Sequence, residues 1–170
     1  MLDFDVHHGN GVAALVKGDE RIRYCSIHQG GIFPGSGEAT DAGPLGNLKH
    51  LPFFSLGETW ETYEPRFEEA LTWLTDFDPD VVIVSAGYDA LEADELATAS
   101  LQPEDFGRMG KRLHEVFGGR VAFGLEGGYN VEASATVYTP PPISVVAFRL
   151  WQVTPKAIRE TLEPFLTGAA

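Results

Sequence analysis

The chain has 170 residues, 44% of them hydrophobic and 22% charged, and a net charge of −13. That is one domain's length with enough apolar material for a core, which excludes intrinsic disorder and collagen-like repeats. The acidic balance disfavours a sequence-independent grip on nucleic-acid phosphates, which needs a basic face, so no direct nucleic-acid partner is expected and cationic partners are favoured.

Met1 to Asp5 reads as the last residues of a strand whose beginning lies outside the chain. Ile22 to Ile27 is a weaker strand, His28 to Gly46 a long glycine-rich loop with Pro34 and Pro44, and Leu48 to Phe53 another weak strand. Trp60, Tyr63, Phe67, Leu71 and Leu74 recur at helical spacing. Val81-Val82-Ile83-Val84 is the clearest strand, with no polar interruption, as expected of a central strand buried on both faces. Phe106, Met109, Leu113 and Val116 mark a second helix after Pro103, a good first-turn residue, and Arg120 to Leu125 a last strand. Beyond it, Pro140-Pro141-Pro142 breaks whatever helix Val131 to Val137 begins, Ile143 to Trp151 has no clear period, and Pro155 to Leu166 reads as a short helix. Strands alternating with helices point to βα units on a parallel sheet.

Fourteen of the 25 acidic residues fall between Glu58 and Asp105, where Arg66 is the only basic residue. They are read either as the lining of a cleft that concentrates cationic ligands or as a solvated, solubilising surface. Cys25 is the only cysteine, so neither an internal disulfide nor a zinc site of several thiolates can form. A reducing cytoplasm fits this best. No run approaches the ~20 apolar residues of a transmembrane helix, and the acidic first five residues do not suit a signal peptide. The expectation is a cytoplasmic protein without a membrane partner.

The most informative stretch is Asp3-Phe4-Asp5-Val6-His7-His8-Gly9-Asn10-Gly11. In an extended segment Asp3, Asp5 and His7 point to one side, while Phe4 and Val6 face the other. Like charges this close repel unless a cation sits among them, which makes a metal the simplest relief. An exposed acidic turn with a stray histidine pair is the other reading of the same residues. Asp89 follows the Val81 to Ser85 run through Ala86-Gly87-Tyr88, just beyond a strand's carboxyl end, where open α/β sheets bind ligands. It could complete a three-ligand site. Leu125-Glu126-Gly127-Gly128-Tyr129-Asn130 is a strand end followed by glycines that bring the backbone close to a ligand and aim one polar aromatic, or else an ordinary turn.

Taken in order with Ser26-Ile27-His28 and Phe33-Pro34-Gly35-Ser36-Gly37, these segments resemble the zinc-dependent histone deacetylase family, which includes acetylpolyamine amidohydrolases and acetoin-utilisation proteins. The wording is more similar to the class II and bacterial members. The resemblance implies a three-layer arginase/deacetylase-like α/β fold with a mostly parallel sheet, lacking the N-terminal strands. It divides the chain into residues 1–137, the C-terminal part of a catalytic domain, and a divergent tail of residues 138–170. It implies deacetylation of acetyl-lysine in proteins or of acetylated polyamines, with Asp5, His7 and Asp89 as ligands of one catalytic Zn2+. Tyr129 becomes the donor to the developing oxyanion, and Phe33 and Gly128 border the substrate. Asp3, Ser26 and the backbone oxygens of Asp5, His7 and Ile27 become a structural K+ site.

Family members also carry a tandem histidine pair, acting as general base and acid, on a loop well before the Asp-x-His motif; Asp3 and Asn10 occupy the positions that orient it. That loop has no counterpart in the chain. His7 is claimed by the metal and His8 points away, so neither replaces the pair, while His28, His50 and His114 read as surface or packing residues. The expectation is therefore a chain inactive alone, with a separate N-terminal half or a second copy as partner. A non-catalytic metal-binding remnant or interaction module is the alternative. An arginase-like dimetal site is disfavoured, since Ser85 to Asp89 offers a single carboxylate.

Overall fold

The computed structural model describes residues 1–96 and 98–130. The tail boundary at 137/138, the proline run and the helices read after residue 130 lie outside the described residues. Five parallel strands, β1 (Leu2–Asp3), β2 (Tyr24–Gln29), β3 (Leu48–Phe53), β4 (Val82–Ala86) and β5 (Val121–Leu125), lie in the order β3-β2-β1-β4-β5. Three helices connect them: α1 (Asn10–Val16), α2 (Trp60–Thr75) and α3 (Pro103–Phe117).

Strand alternation sorts the layers. Leu2, Cys25, Val84 and Phe123 share one face through the register Leu2↔Cys25, Leu2↔Val84 and Val84↔Phe123. The stripe of α2 (Tyr63, Phe67, Leu71, Leu74) and that of α3 (Phe106, Met109, Leu113) cover this face and form the main core. On the opposite face α1 packs Ala13 and Val16 on Tyr24 and Leu48. The result is a helix–sheet–helix sandwich, the three-layer α/β fold expected.

Two expectations need correction. β4 is not buried on both faces, because Ile83 is 44% exposed; α2 and α3 cover the Val82 and Val84 side, whereas α1 sits over β2 and β3. The segment after β1 does not stay extended either: the strand ends at Asp3 and residues 5–7 form a bend. The bend is made by side chains that cap their own backbone, Asp5 N–H donating to Asp3 Oδ1 at 3.1 Å and His7 N–H to Asp5 Oδ1 at 2.8 Å. Phe4 and Val6 do turn into the core, as alternation predicts.

The strand order reverses between β1 and β4, since the chain runs outward to β2 and β3 on one side and to β4 and β5 on the other. Loops leaving the carboxyl ends of these two neighbours diverge and open a crevice, the usual ligand position in an open parallel sheet. Among the described residues no helix is long and apolar enough to cross a membrane.

Candidate metal centre

Asp5 and His7 follow β1 and Asp89 follows β4, so all three sit at this switch point. One ligand atom from each lies within 4.8 Å of the others. His7 Nδ1 stands 3.2 Å from Asp5 Oδ1 and 3.0 Å from Asp89 Oδ2. Zinc ligands at 2.0–2.1 Å in tetrahedral geometry stand about 3.3 Å apart, so the donor set and its spacing fit a divalent ion.

The remaining carboxylate oxygens are held by backbone. Val6 N–H donates to Asp89 Oδ1 at 2.9 Å and Gly127 N–H to Asp5 Oδ2 at 2.9 Å. Two glycines make room for the cluster: a Cβ on Gly87 would overlap Asp5, and one on Gly127 would overlap the Oδ2 atoms of both Asp5 and Asp89. Electrostatics agree with the geometry. Burial raises the Asp89 carboxyl above its ordinary value, and the neighbouring Asp5 charge adds to this. Burial also acts upward on Asp5, but the His7 ring, His7 N–H and Gly127 N–H outweigh it and the net direction is down. Hydrogen bonds to the two carboxylates push His7 up to about 10, so its imidazolium neutralises part of their charge.

Sequence comparison gives the family. The profile of the histone deacetylase domain matches residues 1–140. The chain belongs to the histone deacetylase domain family. An uncharacterized protein of Synechocystis sp. is 44% identical over 146 residues, covering 84% of this chain and 47% of that protein, so the chain spans about half of its relative's length. The solved structure of the HDA15 HD domain is 28% identical, with a TM-score of 0.81 over 98% of this chain and 44% of that one. An acetylpolyamine aminohydrolase from Burkholderia pseudomallei shares the fold, with a TM-score of 0.77 at 24% identity over 98% of this chain and 44% of that one. Histone deacetylase 15 of Arabidopsis thaliana is 34% identical over 146 residues, covering 80% of this chain and 26% of that protein, and the five-stranded parallel sheet matches the arginase-like fold of the deacetylases.

The other residues singled out for this deacetylase-family chain are distributed around the cluster. Phe33 is exposed, its ring 6.5 Å from that of His7. Tyr129 is half-exposed, and Gly128 before it is buried with φ of 135°, a turn that suits glycine. Asp3 does not join Asp5 and His7, contrary to the alternation argument. Asp3 is still in β1 and accepts from the Tyr24 hydroxyl on Oδ2 at 2.6 Å, while the bend at residues 5–7 takes Asp5 and His7 off the strand's alternation. Asp3 and Ser26 are register partners across β1 and β2, with Ile27 next in β2 and Asn10 exposed at the start of α1. The acidic stretch does not all line a cleft: Glu58 is buried against Arg66, and Asp105 caps α3 through Gln102. Sequence reasoning missed Gly87 as a spacer and Asp94 as a backbone clamp; the glycine beside a ligand-bearing strand end was the readable signal for the first.

His8 turns away from His7, as expected, and packs with His28 and His50, ring centroids 4.9 and 4.6 Å away. His8 Nδ1 lies 2.8 Å from Ser36 Oγ, and His28 sits between Ser26 Oγ and the Gly37 carbonyl at 3.0 and 3.2 Å. These are packing histidines. Burial, followed by the charges of His8 and His50, lowers His28 to about 4. A folded-state value below the unfolded one means that His28 stabilises fully above about pH 6.5 and loses this as pH falls to about 4. The shift is worth roughly 3 kcal/mol. Asp3, raised to about 7 by burial, has the opposite dependence, so the His28 effect is read as a difference. Urea unfolding of wild type and His28→Gln from pH 7 to pH 4 should show the wild type losing roughly 3 kcal/mol more; parallel curves would refute it.

Proposed function

We propose that Asp5, His7 and Asp89 hold one zinc ion and that this centre serves hydrolysis of an acetyl amide, on acetyl-lysine in a protein or on an acetylated polyamine. The carrying observation is the convergence of two carboxylates and one imidazole at the switch point, with glycines reserving the space. Three protein ligands leave a coordination position open, as catalytic zinc sites do. When bound, zinc supplies a Lewis acid that polarises the amide carbonyl and lowers the pKa of water.

The chain's own residues supply the rest of this reading. Burial, then the charges of Asp89 and Asp5, raise the Tyr129 phenol above its ordinary value. The hydroxyl therefore stays protonated at neutral pH and donates a hydrogen bond to the amide oxygen as it gains charge, worth ~3–4 kcal/mol in comparable sites. The exposed Phe33 ring and the Gly128 backbone border the methylene stem that carries the acetyl group. Asp3, Ser26 and the backbone oxygens of Asp5, His7 and Ile27 hold K+. The high pKa of buried Asp3 supports this, because it marks a carboxylate whose charge a cation would stabilise. His8, His28 and His50 are engaged with one another and with Ser26, Ser36 and Gly37. The base–acid histidine pair is accordingly assigned to a second segment of the family's kind, oriented by Asp3 and Asn10.

The test measures bound zinc and turnover of an acetyl-lysine peptide and of N-acetylputrescine, by the chain alone and with a family N-terminal half added. About one zinc per chain and turnover only with the added half are expected. Absence of zinc overturns the ligand assignment, and turnover by the chain alone overturns the assignment of the base. Zinc binding without turnover in either mixture supports a metal-binding module instead.

A further inference from the structure

We infer that Asp94 is a positioning residue that aims Tyr129 at the metal cluster. The inference rests on the reading of Tyr129 as the oxyanion donor. Tyr129 is 51% exposed, so side-chain packing fixes its direction weakly and the backbone must do it. That backbone turns at Gly128, with φ of 135°, and is then gripped by one carboxylate oxygen. Asp94 Oδ2 accepts from Tyr129 N–H at 2.6 Å and from Asn130 N–H at 3.2 Å. Asp94 Oδ1 accepts from Leu96 N–H at 2.9 Å, so the carboxylate cannot rotate without losing a partner. Asn130 Nδ2 donates back to the Ala93 carbonyl and adds a second strap.

Asp94 is 6% exposed. Its own segment is tied by backbone bonds on either side: Asp94 N–H bonds to Leu91 O at 2.9 Å and Leu101 N–H to Ala90 O at 3.2 Å. Five residues before it on the same segment is Asp89. One loop therefore carries Asp89, which would hold the metal, and through Asp94 sets the position of the Tyr129 backbone. The other end of the glycine turn is fixed independently, since Gly127 N–H bonds to Asp5 Oδ2. The tyrosine is thus referenced to the cluster at two points rather than held by a generic loop contact.

Asp94→Ala and Asp94→Asn of the full chain test this, the second keeping the side chain's shape if the first folds poorly. Amide hydrogen exchange across Glu126–Asn130 should accelerate at least ~10-fold in Asp94→Ala, the scale of a lost charge-assisted hydrogen bond, and less in Asp94→Asn. The second readout loads the chain with cobalt(II) and follows the paramagnetic shift of the Tyr129 ring against that of His7. The Tyr129 shift should collapse in Asp94→Ala and recover partly in Asp94→Asn, with the His7 shift and cobalt stoichiometry unchanged. Unaltered exchange and an unaltered Tyr129 shift in both variants overturn the inference while leaving the metal site intact. Absence of a His7 shift in wild type overturns the metal reading instead, and a wild-type His7 shift without a Tyr129 shift overturns the aim assigned to Asp94.

Discussion

Asp89→Asn is expected to lower zinc affinity at least ~100-fold, beyond the 10–100-fold typical of changes around rather than at the ligands. Asp89 is fully buried, with Oδ1 on Val6 N–H and Oδ2 facing His7. Asparagine keeps the Val6 bond and the shape but removes the charge that draws the ion. Zinc at 100 times its dissociation constant stabilises a chain by about 2.7 kcal/mol, or roughly 5–10 °C in Tm for a domain of this size. That gain should vanish. Without zinc the variant also takes from the His7 imidazolium one of the two carboxylates that hold its pKa up, so it should be less stable than wild type at neutral pH. Asp89→Ala should lose zinc as well and also be destabilised, by about 1–3 kcal/mol, because Val6 N–H is left buried without an acceptor. Thermal melts with zinc and with chelator measure all three. Zinc binding of wild-type strength in Asp89→Ala would remove Asp89 from the ligand set.

What the sequence made legible follows the physics of each element. The unbroken run at Val82, the stripe from Trp60 to Leu74 and the stripe after Pro103 depend on burial over many residues, and each became β4, α2 or α3. The α1 helix was not readable, because it has seven residues, begins beside Gly9 and Gly11, and buries only Ala13 and Val16. β2 runs on to Gln29 because His28 finds buried partners in Ser26 and Gly37, which a lone histidine at a glycine-rich loop does not announce. The convergence of Asp5, His7 and Asp89 was legible because polar side chains that follow neighbouring strand ends gather at the switch point of an open parallel sheet. The alternation argument still erred for Asp3, since side-chain capping bends the backbone where a strand pattern assumes extension. Asp94 was invisible for a related reason: it acts on backbone N–H groups 35 and 36 residues away, and no local pattern records such a contact.

Gly127→Ala should be nearly as damaging to zinc binding as loss of a ligand, although it removes no donor. The new Cβ would overlap Oδ2 of Asp89 and Oδ2 of Asp5. The backbone cannot retreat, because Gly127 N–H is held by Asp5 Oδ2 at 2.9 Å and its carbonyl by Tyr88 N–H at 2.7 Å. Neither can Asp89, which is fully buried and tied to Val6. The carboxylates must therefore be pushed apart. Overpacking of this kind costs about 1–3 kcal/mol, and the spread donors should bind zinc at least ~100-fold more weakly, on the scale of the strongest disturbances around a metal site. Gly11→Ala is the matched control. Gly11 lies in α1 with nothing near its would-be Cβ, so alanine there should stabilise by roughly 0.5–1 kcal/mol and leave zinc binding unchanged. Zinc titration and chelator melts of the two variants separate a general effect of glycine replacement from a specific one. Equal zinc affinity in both would mean that the space beside Asp5 and Asp89 is not reserved for an ion.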